Sequence, residues 1–80
     1  MSWQRISAIP KLGDECFERD GFVLTIRHSQ LYVLWNLFRR RGADLAPLDA
    51  TYATPHALFD LEAGLKWADG QLVEFQKTSP

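Results

Sequence analysis

Leu31-Tyr32-Val33-Leu34-Trp35-Asn36-Leu37-Phe38 runs directly into Arg39-Arg40-Arg41 and ends at Gly42. How this stretch is read decides the fold. Burying one large apolar side chain is favourable by about 1.5–3 kcal/mol, so the segment must lie inside the protein. Read as a helix, it has Ser29 as a cap, arginines in the last turn at the negative dipole end and Gly42 at the C-terminal stop. Leu31, Leu34, Trp35 and Phe38 then share one face. Tyr32, Val33 and Leu37 fall off that face, and the helix keeps almost no polar side. Read as a strand, the same residues fit better. Tyr, Val, Trp and Phe favour strands, and a central strand is apolar on both sides. His28-Ser29-Gln30 turns the chain back, and Arg39 to Asp44 makes a polar hairpin end with Gly42 at its tightest point. The strand is the preferred reading.

Upstream, Asp20-Gly21 separates two short runs and suits a two-residue type I′ turn. That turn pairs Arg19 with Phe22, Glu18 with Val23 and Phe17 with Leu24. Phe17, Phe22, Leu24 and Ile26 share one face. Cys16, Glu18, Val23, Thr25 and Arg27 share the other, mostly polar one. Before the hairpin, Met1 to Gly13 is weakly patterned and broken by Pro10 and Gly13.

Downstream, Pro47 places Leu45 to Thr54 at a sheet edge or a bulge. A helix is expected over Pro55 to Asp69, with Thr54 as N-cap, Pro55 at N1 and Gly70 as the stop. Ala57, Leu58, Leu61, Leu65 and Ala68 form its stripe toward the sheet, and Gly64 lets helix and sheet approach closely. Phe59, Ala63 and Trp67 form a second stripe, free for a partner or packed on the Trp3 to Ile9 arm. Leu72, Val73 and Phe75 suggest a short last strand, and Thr78 to Pro80 should fray.

The expectation is therefore one small α+β domain over residues 1–80. It has an antiparallel meander of three to five strands, with one main C-terminal helix on one face. The 46% hydrophobic and 24% charged composition is that of a globular protein. Residues 1–41 hold seven basic against four acidic groups, and residues 42–80 two against six. The ordinary reading is complementarity between the halves; the functional one is a bipolar surface that steers a partner. No signal peptide or membrane span is readable, so a cytoplasmic protein is expected.

Chemistry is sparse. Cys16, His28 and His56 stand too far apart for a metal motif. Cys16 reads as a small buried thiol, the carboxylate pairs as solvated surface, and the five glycines as no phosphate-binding loop. No enzymatic activity and no cofactor are expected.

The run Arg19-Asp20-Gly21-Phe22-Val23-Leu24-Thr25, followed by Leu31 to Phe38 and Leu45 to Tyr52, resembles the winged-helix effector domain of response regulators. That resemblance implies two helices after the hairpin and a DNA-binding function in transcription, which is the alternative reading. The chain departs from it at the recognition-helix position, where Asp60, Glu62 and Asp69 outnumber Lys66.

What remains is binding of a protein. The expected function is a small adaptor or stoichiometric inhibitor of a larger protein, or a homodimer. Phage-encoded inhibitors of host machinery are one class of that kind. Candidate contacts are Tyr32, Trp35, Phe38, Arg39, Arg40, Arg41, Phe59 and Trp67, because interface hot spots favour Trp, Tyr and Arg. The sheet face opposite the helix is expected to expose alternate members of Leu31 to Phe38, with Val23.

Overall fold

The Asp20-Gly21 turn sets the register of the sheet. In the computed structural model, which describes residues 2–78, both turn residues have positive φ, 51° and 83°. That is the type I′ requirement. Strand β2 (Glu15–Arg19) then pairs with β3 (Phe22–His28) as Arg19↔Phe22, Glu18↔Val23 and Phe17↔Leu24. β1 (Gln4–Ile6) adds to β2, β4 (Tyr32–Arg41) to β3, and β5 (Asp44–Pro55) to β4, all antiparallel. The result is a five-stranded meander in the order β1-β2-β3-β4-β5, the expected α+β arrangement with Leu31 to Phe38 almost entirely strand. The winged-helix alternative does not hold, since both segments that it makes helical are strands.

The β3–β4 turn lacks a glycine and is built another way. The Ser29 hydroxyl accepts from the Tyr32 N–H at 3.0 Å and donates to the Tyr32 carbonyl at 2.9 Å. The Ser29 N–H reaches the same carbonyl at 2.8 Å. At the next turn Gly42 has φ 61°, the positive value that a two-residue turn of type II′ needs at its first central position.

β5 is an edge strand, as Pro47 indicates. Between Asn36↔Thr51 and Phe38↔Pro47 the register shifts, and Leu48, Asp49 and Ala50 stand opposite Leu37 alone. Antiparallel pairs alternate between bonded and non-bonded. His56 N–H donates to the Leu31 carbonyl and Arg40 N–H to Gly21. Odd-numbered β4 residues therefore bond toward β5 and even-numbered ones toward β3. Pro47 faces Phe38 and Pro55 faces Tyr32, both at non-bonded positions. Each proline thus turns its missing donor to the free edge, where it costs no ladder bond and blocks addition of a strand.

One face of the sheet carries Phe17, Leu24, Ile26, Val33, Trp35 and Leu37, all in the main core. Helix α1 (Leu61–Thr78) covers it. The start and end of this helix correct the sequence reading. Pro55 still belongs to β5, and His56–Leu58 is a single 3₁₀ turn. Asp60 is the real cap: its Oδ1 accepts from Glu62 N–H at 3.0 Å and Ala63 N–H at 3.3 Å. Ala57 and Leu58 are exposed, so they leave the expected stripe. At the far end Gly70 does not stop the helix, and no last strand forms. Leu72 and Phe75 instead extend the stripe of Leu61, Leu65 and Ala68 at helical spacing onto the core. Thr78 is the last residue of the helix, and Ser79 and Pro80, also expected to fray, lie outside the described residues.

Gly70 is exposed, and a Cβ there meets nothing within 4 Å. Gly70→Ala should therefore stabilise the protein by about 0.5–1 kcal/mol through helix propensity. Thermal unfolding checks this, and an unchanged or lower Tm would contradict a continuous helix through residue 70.

Candidate functional site

The face of the sheet away from α1 carries the even-numbered residues of β4 and their partners. It is closed at one side and open at the other. On the β1–β2 side the segment after β1 folds back across it. Ile9 N–H donates to Cys16 Sγ at 3.4 Å, and Asp14 N–H to the Ile26 carbonyl at 2.8 Å. Cys16, Val23 and Thr25 are buried here. Val23 thus corrects the expectation that it would be exposed: flanking side chains and the folded-back segment cover it. The mostly polar outer face of the hairpin is in its centre a small second interior.

The open side lies over β4 and β5. Tyr32 is 56% and Leu34 37% exposed, with Leu31 at 70% in the adjoining turn. Thr51 and Ala53 are exposed beside them on β5, while Asn36 and Phe38 are half-buried. Thr51 Oγ1 donates to Asn36 Oδ1 at 2.9 Å. Arg27 stands directly across from Leu34.

The residues picked from the sequence separate into groups. Tyr32 and Phe38 are on the open face. Trp35 is not: it is fully buried under α1 and unavailable to a partner. Its position follows from strand parity, because Ile26↔Trp35 places it on the Phe17–Leu24–Ile26 side. Phe59 lies before the helix, stacks on Trp35 with ring centroids 5.6 Å apart, and meets His28 edge-on at 4.9 Å. Trp67 stacks on Tyr52 at 5.3 Å. These two rings belong to an aromatic layer on the helix side rather than packing on the Trp3 to Ile9 arm; Trp67 is half-buried in it, while Phe59 stays 37% exposed at its rim. The three arginines also divide. The Arg39 guanidinium lies over the Phe22 ring at 5.7 Å, Arg40 Nε donates to Glu18 Oε2 at 2.6 Å, and Arg41 sits at the hairpin end opposite Asp44.

Ion pairs within the N-terminal half include Arg5–Glu15 at 2.7 Å and Arg40–Glu18. Arg19–Asp69 at 2.5 Å joins the two halves. Glu15 also meets His28 Nε2 at 2.7 Å. The His28 hydrogen bond, then the Arg5 one, hold its carboxyl below the ordinary carboxylate value. A lowered folded pKa stabilises above the unfolded value of about 4.3 and is lost as pH falls through the folded one. His28→Leu removes the largest cause, so acid unfolding should begin at higher pH than in the parent chain. An identical acid limb in the two proteins would show that this contact does not contribute.

Two open clefts, of about 320 and 270 Å³, share Arg19 and Asp20 and are lined mainly by polar groups. Among the described residues no three His, Cys, Asp or Glu side chains come together as metal ligands. No helix among them is long and apolar enough to cross a membrane.

Fold and site together define a small α+β domain: a five-stranded antiparallel meander, helix-covered on one face and partly open on the other. The chain matches no protein-family model, and comparison with curated proteins and with solved structures found no match.

Proposed function

We propose that this chain is a non-enzymatic protein-binding module that docks a larger protein on the open face of its sheet. It would act there as an adaptor or a stoichiometric inhibitor. The observation that carries this reading is the exposure of Tyr32 and Leu34 on the face that α1 leaves bare, with Leu31 exposed in the adjoining turn. Clustered exposed apolar groups on a soluble domain mark interaction surfaces, whereas scattered ones mean little. An aromatic ring beside aliphatic side chains also supplies the anchor that hot spots require.

Nothing favours the DNA-binding alternative. α1 carries Glu62, Asp69 and Glu74 against Lys66 and Lys77, so it is net acidic. Arg40 is held by Glu18 and Arg39 lies on Phe22, so the arginine run does not present a phosphate-binding row.

A photo-crosslinking side chain in place of Leu34 is expected to yield covalent protein adducts in the producing cell. One in place of the exposed Lys66, on the opposite side of the molecule, should yield none. Tyr32→Glu should remove the adducts from position 34. Equal adducts from both positions, or none from position 34, would defeat the reading.

A further inference from the structure

We propose that the occupant of the open face is an amphipathic helix of a partner protein with an acidic flank. Its apolar side lies on Tyr32 and Leu34 and its carboxylates reach Arg27 and Lys11. This rests on the docking reading above and names the chemistry of the partner.

Charge carries the proposal. Arg5, Arg19 and Arg40 are each tied to a carboxylate. Arg27 is not. It stands beside Leu34 on the open face, and its Nη2 donates to the Lys11 backbone carbonyl at 3.3 Å. That bond places the Lys11 backbone at the same rim, and Lys11 is exposed. Neither cation has an ion-pair partner among the described residues. The apolar patch is thus bordered on its β3 side by two cationic residues that make no ion pair, and complementarity favours carboxylates there.

The same facts weigh against other occupants. A second copy would have to meet this rim with its own open face. On that face Glu18 is already held by Arg40 at 2.6 Å, and Asp14 accepts from the His28 N–H at 2.7 Å. A single-stranded nucleic acid needs successive stacking platforms, but Tyr32 is the one exposed ring here, beside aliphatic Leu31 and Leu34. A partner strand is refused at the β5 edge by Pro47 and Pro55, as their non-bonded register shows. A helix needs no edge. α1 packs in that way on the other face of the same sheet.

The test is fluorescence anisotropy with a labelled helical peptide bearing one leucine face and one glutamate face. Its lysine-for-glutamate counterpart and a labelled oligo-dT serve as controls. The glutamate peptide should bind, more weakly as salt rises. Affinity should fall roughly tenfold or more in Arg27→Glu combined with Lys11→Glu, and be lost in Leu34→Glu. Tm and circular dichroism identify any variant that fails to fold, and Arg27→Gln with Lys11→Gln gives a milder second pair. Equal binding of the lysine peptide overturns the acidic assignment and leaves docking intact. So does failure of both peptides while position 34 still crosslinks. Concentration-dependent dimerisation that Leu34→Glu abolishes, or oligo-dT binding that Arg27→Glu abolishes, replaces the proposed partner with a second copy or a nucleic acid. Failure of both peptides together with no crosslink from position 34 removes the docking reading itself.

Discussion

Gly64→Ala should destabilise this protein by about 1–3 kcal/mol, the usual cost of overpacking, although the substitution favours helix. A Cβ at residue 64 would overlap Trp35 Cη2 and Cζ3 and lie 2.6 Å from Cε3. The ring has nowhere to go. Trp35 is fully buried in a central strand, with Phe59 stacked on it and Tyr52 tilted against it at 6.2 Å. α1 must therefore lift from the sheet, which opens the packing of Ala68 and Leu72 further along the same face. Helix propensity works the other way by about 1 kcal/mol, and Gly70→Ala measures that part alone on the same helix. The two glycine substitutions should shift Tm in opposite directions. For a domain of this size each kcal/mol corresponds to about 4–8 °C. The contact can be isolated by a double-mutant cycle. Gly64→Ala should cost clearly less in a Trp35→Leu background, because the smaller side chain yields the space. If Gly64→Ala raises Tm as Gly70→Ala does, helix and sheet do not meet at this point.

Such pairings show what a sequence can and cannot display. The Asp20-Gly21 turn was legible because only a few residues tolerate two positive φ values, and the register of β2 and β3 follows from it. Gly64 on the border of an apolar stripe was legible as a close approach. The identity of the atom it approaches was not, because Trp35 and Gly64 meet only once the sheet exists. Trp35 was misassigned for a related reason. Which parity of β4 faces the helix depends on the length of the β3–β4 turn, and that length is fixed by the Ser29 hydroxyl on Tyr32 rather than by a glycine. The helix was displaced by its punctuation. Thr54-Pro55 offers a good cap, yet β5 keeps both residues because β4 pairs with them through Thr54 and Pro55. Gly70 looked like a stop because a glycine's cost is local, whereas the gain from Leu72 and Phe75 lies in tertiary contact. Of the residues in the proposed contact, Tyr32 was picked by residue type. Arg27 and Lys11 were not, since an unpaired cation is recognised only when the paired ones are known.

Asp69→Ala should loosen the N-terminal edge of the sheet by about 1–2 kcal/mol. One oxygen, Asp69 Oδ1, accepts from Trp3 Nε1 at 2.7 Å and from Arg19 Nη1 at 2.5 Å. The carboxylate is 43% exposed, so the charged part of the contact is discounted for solvent screening, and the estimate rests on the two hydrogen bonds. Their placement matters more than their sum. β1 has only three residues, all paired to β2, and a strand that short does not hold an edge unaided. Trp3, half-buried on the helix side, ties it to α1 through Asp69, while Arg19 ties the end of β2 to the same point. Removing the acceptor also leaves the Arg19 guanidinium with only the longer contact to Asp20, at 3.5 Å. The effect should therefore be uneven. Amide exchange at Gln4 to Ile6 and in β2 should accelerate well beyond that of β3 and β4, whose pairing does not involve α1. Asp69→Asn keeps an oxygen for the indole N–H and gives up the charge toward Arg19, so it should fall between the parent and Asp69→Ala. Uniform acceleration across all strands would mean that the carboxylate stabilises the domain as a whole. No acceleration at β1 would mean that the edge strand is held by its three register pairs alone.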